Sequence, residues 1–206
     1  MKKNDDFRFY VQIPNFLTSE KCQEIIEAIN DNEKIVDGCV SDDSTEHREN
    51  TIIPEVRITK ESYLLEQPQD YNNRAIPELD WNWLSDKMFQ MVQLVNDKSF
   101  KFDIQEIDKE LKYIEYGFGG HYNWHMDLNP TDSNTRKLTA VVQLNDEYEG
   151  GYLEFGVQDR KGEWFKVPKI KGSITIFPCF LSHRVSPVTK GKRHVVQELY
   201  LGDAFV

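Results

Sequence analysis

The sequence predicts an α+β fold, a double-stranded β-helix (jelly-roll) core with N-terminal helices packed on one sheet. Two observations lead to this prediction. Apolar residues recur at helical spacing before residue 110, whereas beyond it they alternate with a period of two in many short runs. Short strands that follow one another closely are typical of a sandwich or jelly roll, not of βαβ units. We expect a single domain over 1–206, with mainly helical support in 1–109 and the jelly roll in 110–206.

Two amphipathic helices are predicted in the N-terminal half. Segment 19–30 carries apolar residues at i, i+3, i+4 and i+7, and Thr18 or Ser19 can cap its first turn. Segment 80–97 repeats the pattern, with Asp80 as its cap. The apolar positions are Cys22, Ile25, Ile26 and Ile29 in the first helix and Trp81, Leu84, Met88, Met91, Val92 and Val95 in the second. Segment 37–55 is polar and without a period, which predicts a long surface loop.

Strands are predicted beyond Lys109. The apolar residues of 138–144 occupy alternate positions, and Asn145-Asp146 and Gly150-Gly151 then mark the connection to the run YLEFGV. Three further runs, WFKVP, GSITIFPCF and RHVVQELYLG, are separated by turns rich in Gly, Pro or Lys. Each run is long enough for one strand of a sandwich.

Composition excludes several classes of protein. The 206 residues carry 25 Lys and Arg against 35 Asp and Glu, a net charge of −10 that disfavours a surface following nucleic-acid phosphates. The first ten residues lack the apolar stretch of a secretory signal, and no segment is apolar enough to span a membrane, so we expect a soluble cytoplasmic protein. Cys22, Cys39 and Cys179 show no regular spacing and are expected to be reduced thiols.

The residues His125 and Asp127 form a candidate metal site. Residues i and i+2 of an extended segment project to the same side, so this imidazole and carboxylate can converge on one ion. Candidates for a third ligand are His47, His121, His183 and His194. His183 follows a predicted strand 58 positions downstream and can return from the other side of a sandwich, whereas His47 lies in the polar loop. Two His and one carboxylate with open positions are the arrangement of non-haem Fe(II) oxygenases.

Arg193 is a candidate for binding an anion in the same cavity. It lies ten residues beyond His183, at the start of a predicted strand that would point its guanidinium into the barrel. A buried Arg requires an anionic partner, and its planar fork suits a carboxylate. The structural alternative is a solvated residue in the basic cluster with Lys190 and Lys192.

Three blocks of the sequence resemble a known family. The run YGFGGHYNWHMD over 116–127 resembles the opening of the catalytic domain of prolyl 4-hydroxylases within the 2-oxoglutarate and Fe(II)-dependent dioxygenases. Leu144-Asn145 leading to GGYLEF resembles the family's strand, acidic turn and Gly-Gly strand. The block from GSITIFP through His183 to Arg193 most resembles the bacterial and viral members.

The resemblance implies a role for each matching residue. It implies that His125, Asp127 and His183 bind Fe(II), and that Arg193, where many prolyl 4-hydroxylases have Lys, pairs with the C5 carboxylate of 2-oxoglutarate. Of the other matching positions, Tyr116 borders the cosubstrate, Gln143 stands where some relatives have a tyrosine reaching that carboxylate, and Tyr122 lies near the substrate together with Trp124. O2 is the second cosubstrate and ascorbate a candidate auxiliary reductant.

The function implied is hydroxylation of a prolyl residue in a peptide or protein, with release of succinate and CO2. Segments 37–55 and 124–137 are the expected substrate-facing lids. Two alternatives stay open at this point, a hydroxylase of a free amino acid or small metabolite, and a non-catalytic metal-binding jelly roll that serves as an interaction module. A nucleic-acid dealkylase is disfavoured by the net charge of −10.

Overall fold

A computed structural model describes residues 9–30, 35–38, 40–41, 50–65, 80–108, 110–128 and 134–205. These residues form two α-helices, α1 (Ser19–Asn30) and α2 (Asn82–Val95), and a π-helical turn at Asn96–Phe100 follows α2 directly. The strands before residue 110 are β1 (Val11–Ile13), β2 (Val36–Asp37), β3 (Val40–Ser41), β4 (Asn50–Thr51), β5 (Arg57–Ile58), β6 (Lys60–Tyr63) and β7 (Glu106–Ile107). Those after it are β8 (Lys112–Tyr116), β9 (His121–His125), β10 (Arg136–Gln143), β11 (Glu149–Gly150), β12 (Leu153–Gln158), β13 (Trp164–Lys166), β14 (Ile174–Pro178), β15 (His183–Val185), β16 (Val188–Lys190) and β17 (Arg193–Leu201).

Two antiparallel sheets face each other, as the predicted jelly roll requires. The large sheet has the order β1-β14-β10-β17-β8-β6-β2, with β7 pairing beside β17. The small sheet has the order β13-β12-β15-β9-β5. Within the described ranges, β11 pairs with β16 and β3 with β4 as separate two-stranded ribbons. Each of the five runs predicted as strands beyond Lys109 contains one, namely β10, β12, β13, β14 and β17.

Both predicted helices are confirmed. Helix α1 begins at Ser19, and the Lys21 amide donates to Thr18 Oγ1 at 3.2 Å, so Thr18 caps the first turn. Helix α2 begins at Asn82, whose amide donates to Asp80 Oδ1 at 3.1 Å. The apolar faces of both helices pack on the outer face of the large sheet.

The N-terminal half contributes more strand than its sequence predicts. Strands β1, β2, β6 and β7 extend the large sheet, and β5 extends the small one. The predicted loop over 37–55 is corrected at its ends, since Asp37 closes β2 and the short strands β3 and β4 pair with each other. Residues 42–49 lie outside the described residues. Strands of two to four residues are too short to show a period, so pairing with long neighbours defines them.

The large sheet separates two apolar cores. Alternation along β10 sends Leu138, Ala140 and Val142 towards the helices and Val141 towards the small sheet. The first core joins both helices to the outer face, and the second fills the space between the sheets. Cys22 and Cys179 are buried free thiols, and Cys39 lies outside the described residues. None of the helices in the described ranges is long and apolar enough to cross a membrane.

Candidate active site

Three side chains meet between the two sheets at one end of the barrel. The ligating atoms of His125, Asp127 and His183 all lie within 4.8 Å of one another. His125 Nε2 is 3.6 Å from Asp127 Oδ1, and His183 Nε2 is 3.6 Å from Asp127 Oδ2. Strand pairing produces this proximity, since His125 of β9 stands directly opposite His183 of β15. Ligand bonds of about 2 Å can bridge such separations.

Backbone carbonyls orient both imidazoles in the same way. The Nδ1 of His125 lies 2.7 Å from the Asn123 carbonyl oxygen, and the Nδ1 of His183 lies 2.9 Å from that of Leu181. A carbonyl only accepts, so each Nδ1 is the protonated nitrogen. Each Nε2 lone pair is therefore directed towards Asp127 and is available to a metal ion.

Asp127 is held as an anion. Burial raises the pKa of its carboxyl, but the neighbouring imidazoles of His183 and His125 and the Thr139 hydroxyl outweigh burial and leave the pKa below its usual range. The Thr139 hydroxyl donates to Oδ2 at 2.6 Å, and the Asp127 amide donates to the Cys179 carbonyl at 3.0 Å. The carboxylate is thus fixed in place from two sides.

His183 is neutral at neutral pH. Burial lowers the pKa of its imidazole to about 4, although the Asp127 charge acts in the opposite direction. Two neutral imidazoles and one carboxylate are a donor set that suits a divalent transition metal with open coordination positions. The residues present therefore fit Fe(II).

A narrow pocket between the two sheets is lined by the candidate metal ligands His125 and His183. Its walls are mainly apolar, with Val141, Leu153, Phe177 and Val195 among the residues that line it. Arg193, only 2% exposed, lines the same pocket. A pocket lined by both a candidate metal site and a buried cation suits an anionic ligand such as a short dicarboxylic acid.

Tyr116 supports the Arg193 guanidinium. The two residues face each other in the pairing of β17 with β8, and Arg193 Cζ lies 5.0 Å from the centre of the Tyr116 ring. The structure thus brings together Arg193 and Tyr116, both predicted to contact the cosubstrate. Gln143 lines a second pocket, of about 280 Å³, that shares Val141, Leu153 and Arg193 with the first.

Tyr122 forms a wall of the pocket beside the metal ligands. Its ring stacks on the His125 ring with centroids 3.5 Å apart, and Arg57 of β5 covers its other face with Cζ at 4.5 Å. Arg57 also forms an ion pair with Glu61. The pairing of Arg57 with Tyr122 across β5 and β9 produces this stack.

Trp124 lies on the opposite face of β9 from His125. The pairing of β9 with β15 shifts register between His125 and Tyr122, so the position of Trp124 follows from its contacts and not from strict alternation. Its ring contacts Trp164 with centroids 4.8 Å apart, and Arg184 Cζ lies 4.8 Å from its centre. The structure does not place it in the pocket, and its predicted contact with substrate stays a prediction.

The other histidines lie away from the metal ligands. His121 Nδ1 lies 2.9 Å from the Gly119 carbonyl oxygen, and His194 Nδ1 lies 2.5 Å from the Tyr113 hydroxyl on the helix side of the sheet. His47 falls outside the described residues. Parts of the two predicted lids, 42–49 and 129–133, do so as well.

The sequence interpretation missed Thr139 and Tyr148. Thr139 shares the inward face of β10 with Val141 and Gln143, so the alternation itself could have identified it. Tyr148 lies in the connection between β10 and β11, where no periodicity indicates a direction. Its side chain lines the second pocket beside Arg193.

The fold and this donor set together define a class. A jelly roll that presents two His and one carboxylate, with a buried cation behind them, has the site of a non-haem Fe(II) oxygenase.

The sequence comparisons agree with this class. Residues 111–200 match the model of the 2OG-Fe(II) oxygenase superfamily. PKHD-type hydroxylases of Pseudoalteromonas atlantica and Synechococcus sp. are 32% and 33% identical over 93 and 100 residues, which are 40% and 48% of this chain. The matched segments span 38% and 40% of those relatives' own lengths. The resemblance to this superfamily is thus confirmed over the matched residues 111–200.

Solved structures confirm the jelly-roll fold. The Pseudomonas putida prolyl-4-hydroxylase is similar with a TM-score of 0.68 at 15% identity, over 96% of this chain and 95% of that one. The viral collagen prolyl hydroxylase of Paramecium Bursaria Chlorella virus-1 gives 0.61 at 18% identity, over 96% and 98%. A prolyl hydroxylase of Trichoplax adhaerens, solved with a peptide fragment of the hypoxia inducible factor oxygen degradation domain, gives 0.72 at 18% identity, over 95% and 84%.

Proposed function

We propose that this protein is an Fe(II)- and 2-oxoglutarate-dependent dioxygenase that hydroxylates a prolyl residue in a peptide or protein, releasing succinate and CO2. The observation that carries the proposal is the convergence of His125, Asp127 and His183 at the mouth of a pocket closed by Arg193. The similarity to prolyl hydroxylases, one of them bound to a peptide, supports the polypeptide substrate. The complete ligand set disfavours a non-catalytic interaction module.

Each part of the site has a task in this reaction. Bound iron would supply the activation of O2 that the side chains cannot perform themselves. His125, Asp127 and His183 would hold the metal, and Arg193 would bind the distal carboxylate of 2-oxoglutarate. The apolar walls exclude water between the two ends of the cosubstrate. Tyr122, stacked on His125, borders the position where the substrate approaches.

We also propose that residues before 110 complete the same domain. Helices α1 and α2 pack on the large sheet, and β1 and β5 add edges to the two sheets. Gln12 of β1 lines the second pocket and donates to the Pro168 carbonyl at 2.9 Å. These contacts support a single unit in which the N-terminal half positions parts of the site.

A product search tests the proposal. The protein is incubated with Fe(II), 2-oxoglutarate and a panel of proline-containing peptides, with and without ascorbate, and products are sought by mass spectrometry. We expect a peptide gaining one oxygen atom, at a proline, together with stoichiometric succinate. Oxygen incorporated only into free amino acids would support the small-metabolite alternative and contradict the polypeptide substrate.

The variant Asp127→Ala tests the candidate metal site directly. Removing the carboxylate ligand should lower succinate formation by at least roughly a thousandfold, since two neutral imidazoles alone leave the charge of a divalent ion without an anionic ligand. Asp86→Ala, at an exposed position of α2, is the control and should keep full activity. Equal turnover in the Asp127 variant and the wild type would contradict the iron site.

A further inference from the structure

His125 lies at a less enclosed position than the other histidine of the candidate metal site. His183 is 5% exposed, and the buried Phe177 ring meets its imidazole edge-on with centroids 4.8 Å apart. His125 is the last residue of β9, close to the register shift in the pairing with β15, and its side chain is 16% exposed. A neighbouring side chain must therefore support this imidazole if Nε2 is to stay directed towards Asp127.

Tyr122 provides this support, and Arg57 covers Tyr122. The Tyr122 ring lies on the His125 ring with centroids 3.5 Å apart and planes 15° from parallel. Because the imidazole occupies that face, the Arg57 guanidinium, with Cζ 4.5 Å from the ring centre, lies on the other. Arg57 is 8% exposed and stands opposite Tyr122 in the pairing of β5 with β9. Guanidinium, phenol and imidazole thus form a stack that ends on a candidate metal ligand.

A buried carboxylate fixes the position of the Arg57 guanidinium. Glu61, 6% exposed, forms an ion pair with Arg57. The Thr59 hydroxyl donates to Glu61 Oε1 at 2.9 Å, and Lys112 Nζ lies 3.6 Å from Glu61 Oε2. An apolar side chain could fill the same space without the desolvation cost of a buried ion pair. The pair therefore indicates that the exact place of the guanidinium matters.

We propose that Arg57 is a positioning residue of the metal site, which holds Tyr122 against His125 and thereby fixes the direction of the His125 Nε2 lone pair. This inference rests on the iron site of the proposed function. Arg57 and Glu61 precede residues 111–200, which match the family model, so the N-terminal half contributes this support. The Glu61 carboxylate offsets the positive charge of the guanidinium, which would otherwise repel a divalent cation nearby.

A double variant, Arg57→Met with Glu61→Gln, separates a positioning role from a purely structural one. Changing both residues avoids leaving a buried charge with one partner fewer. If Arg57 only stabilises the fold, the variant melts at a lower temperature but binds metal with wild-type affinity. If it positions His125, metal affinity falls even far below the melting transition. Tyr122→Leu, which removes the ring between them, should cause the same loss, and combining it with the double variant should add nothing further.

Anaerobic titration with Fe(II), and with Co(II) as a spectroscopic probe, measures metal binding. The visible absorption bands of bound Co(II) report its coordination geometry independently of turnover. For Arg57→Met with Glu61→Gln we expect both ions to bind roughly tenfold more weakly, as for the loss of a group that orients a metal-ligating histidine, and the Co(II) bands to change. The melting temperature of the metal-free protein shows that the variant is folded during the titration.

Arg184→Met with Glu154→Gln is the matched control. Arg184 Cζ also lies over an aromatic ring, 4.8 Å from the centre of Trp124, and Arg184 Nε donates to Glu154 Oε2 at 2.6 Å. Lys166 Nζ, 3.7 Å from Glu154 Oε1, corresponds to Lys112 in the other pair. In the part of the chain that the structure describes, the Trp124 ring stacks on no metal ligand. This variant should therefore keep wild-type metal affinity and Co(II) bands.

The outcomes separate this inference from the proposed function. Wild-type metal affinity and Co(II) bands in the Arg57 double variant would overturn the inference and leave the iron site intact. Equal losses in the Arg184 control would also overturn it, since any disturbance of the small sheet would then be sufficient. A wild-type protein that binds neither Fe(II) nor Co(II) would overturn the proposed function as well. A loss shared by the Arg57 double variant and Tyr122→Leu, and absent from the control, supports the assignment.

Discussion

The two faces of the large sheet are built from the same strands but have different roles. Along β17, Val196 and Tyr200 face the helices, while Arg193 and Val195 face the small sheet. The helix side is closed by apolar packing, and its buried acid Glu198 has both oxygens hydrogen-bonded. The helix side also holds one buried hydroxyl without a partner in the described residues, that of Ser62 beside Tyr113. On the inner side lie the three candidate metal ligands and the buried Arg193, whose Nε has no partner in the described residues.

This difference separates the side chains that stabilise the fold from the side chains that form the candidate site. Well-packed side chains that satisfy one another stabilise a fold, whereas buried unpaired donors and clustered titratable groups destabilise it and are retained at functional sites. A sheet with one face of each kind lets the helices stabilise the strands that hold the site. Substitutions on the two faces should therefore change stability and cosubstrate binding separately.

The largest effect on stability is expected on the helix side, for Leu84→Ala. Leu84 is fully buried between α2 and the large sheet, so truncation should lower the free energy of unfolding by about 2–5 kcal/mol. Affinity for 2-oxoglutarate should stay unchanged below the melting transition, because no pocket residue moves. Urea unfolding and anaerobic titration measure the two quantities.

Leu94 offers a control on the same helix. It is 55% exposed, and Leu94→Ala should change the free energy of unfolding by less than about 0.5 kcal/mol. If Leu84→Ala weakened 2-oxoglutarate binding as strongly as it weakened folding, the two faces would not be separable in the way proposed.

On the inner side, Arg193→Met should lower the affinity for 2-oxoglutarate without lowering the stability of the ligand-free protein. The variant keeps the length and apolar stem of the side chain but removes the charge, so 2-oxoglutarate should bind roughly 100-fold more weakly or worse. Stability without ligand should stay the same or rise, because none of the described carboxylates pairs with this buried charge. Fe(II) should still bind, since the metal ligands are untouched.

Arg160→Met, at an exposed position, controls for the loss of a positive charge and should leave both quantities unchanged. A normal 2-oxoglutarate requirement in Arg193→Met would remove this residue from the cosubstrate site. Lower stability without ligand would instead assign it a structural role.

Sequence patterns predicted the elements in which apolar residues recur with a regular period. Helices α1 and α2 and the long strand β10 each show several turns or alternations of apolar residues, so their faces follow from the order of the residues alone. The metal ligands followed from an i, i+2 pair and a histidine beyond a strand.

Other features depend on contacts between distant segments. The two-residue strand β5 exists through its pairing with β9, and it brings Arg57 onto the Tyr122 ring. Tyr148 reaches Arg193 because glycines 40 residues apart, Gly151 and Gly191, allow close backbone approach. No local sequence pattern indicates that Arg57 contacts Tyr122 or that Tyr148 lies beside Arg193, so the sequence alone could not predict either contact.

The smallest expected effect concerns Glu198, the acid on the helix side. Burial raises the pKa of its carboxyl to about 7, against the hydrogen bonds that Ser85 and Tyr200 donate to it at 2.6 and 2.5 Å. The folded state therefore binds a proton more tightly than the unfolded chain. The contribution of Glu198 to stability is greatest below the unfolded pKa and falls as the pH rises from about 4.5 to about 7.

Glu198→Gln should remove this pH dependence because an amide does not titrate. Near pH 5 the variant and the wild type should unfold at similar urea concentrations, whereas near pH 8 the variant should be more stable by about 2–3 kcal/mol. Cosubstrate affinity should be the same at both pH values, since the residue faces the helices. Glu163→Gln, at an exposed position, controls for the change in net charge. A difference between Glu198→Gln and the wild type that is constant from pH 5 to 8 would show that Glu198 does not titrate there, and a shifted 2-oxoglutarate affinity would show that the helix side also acts on the site.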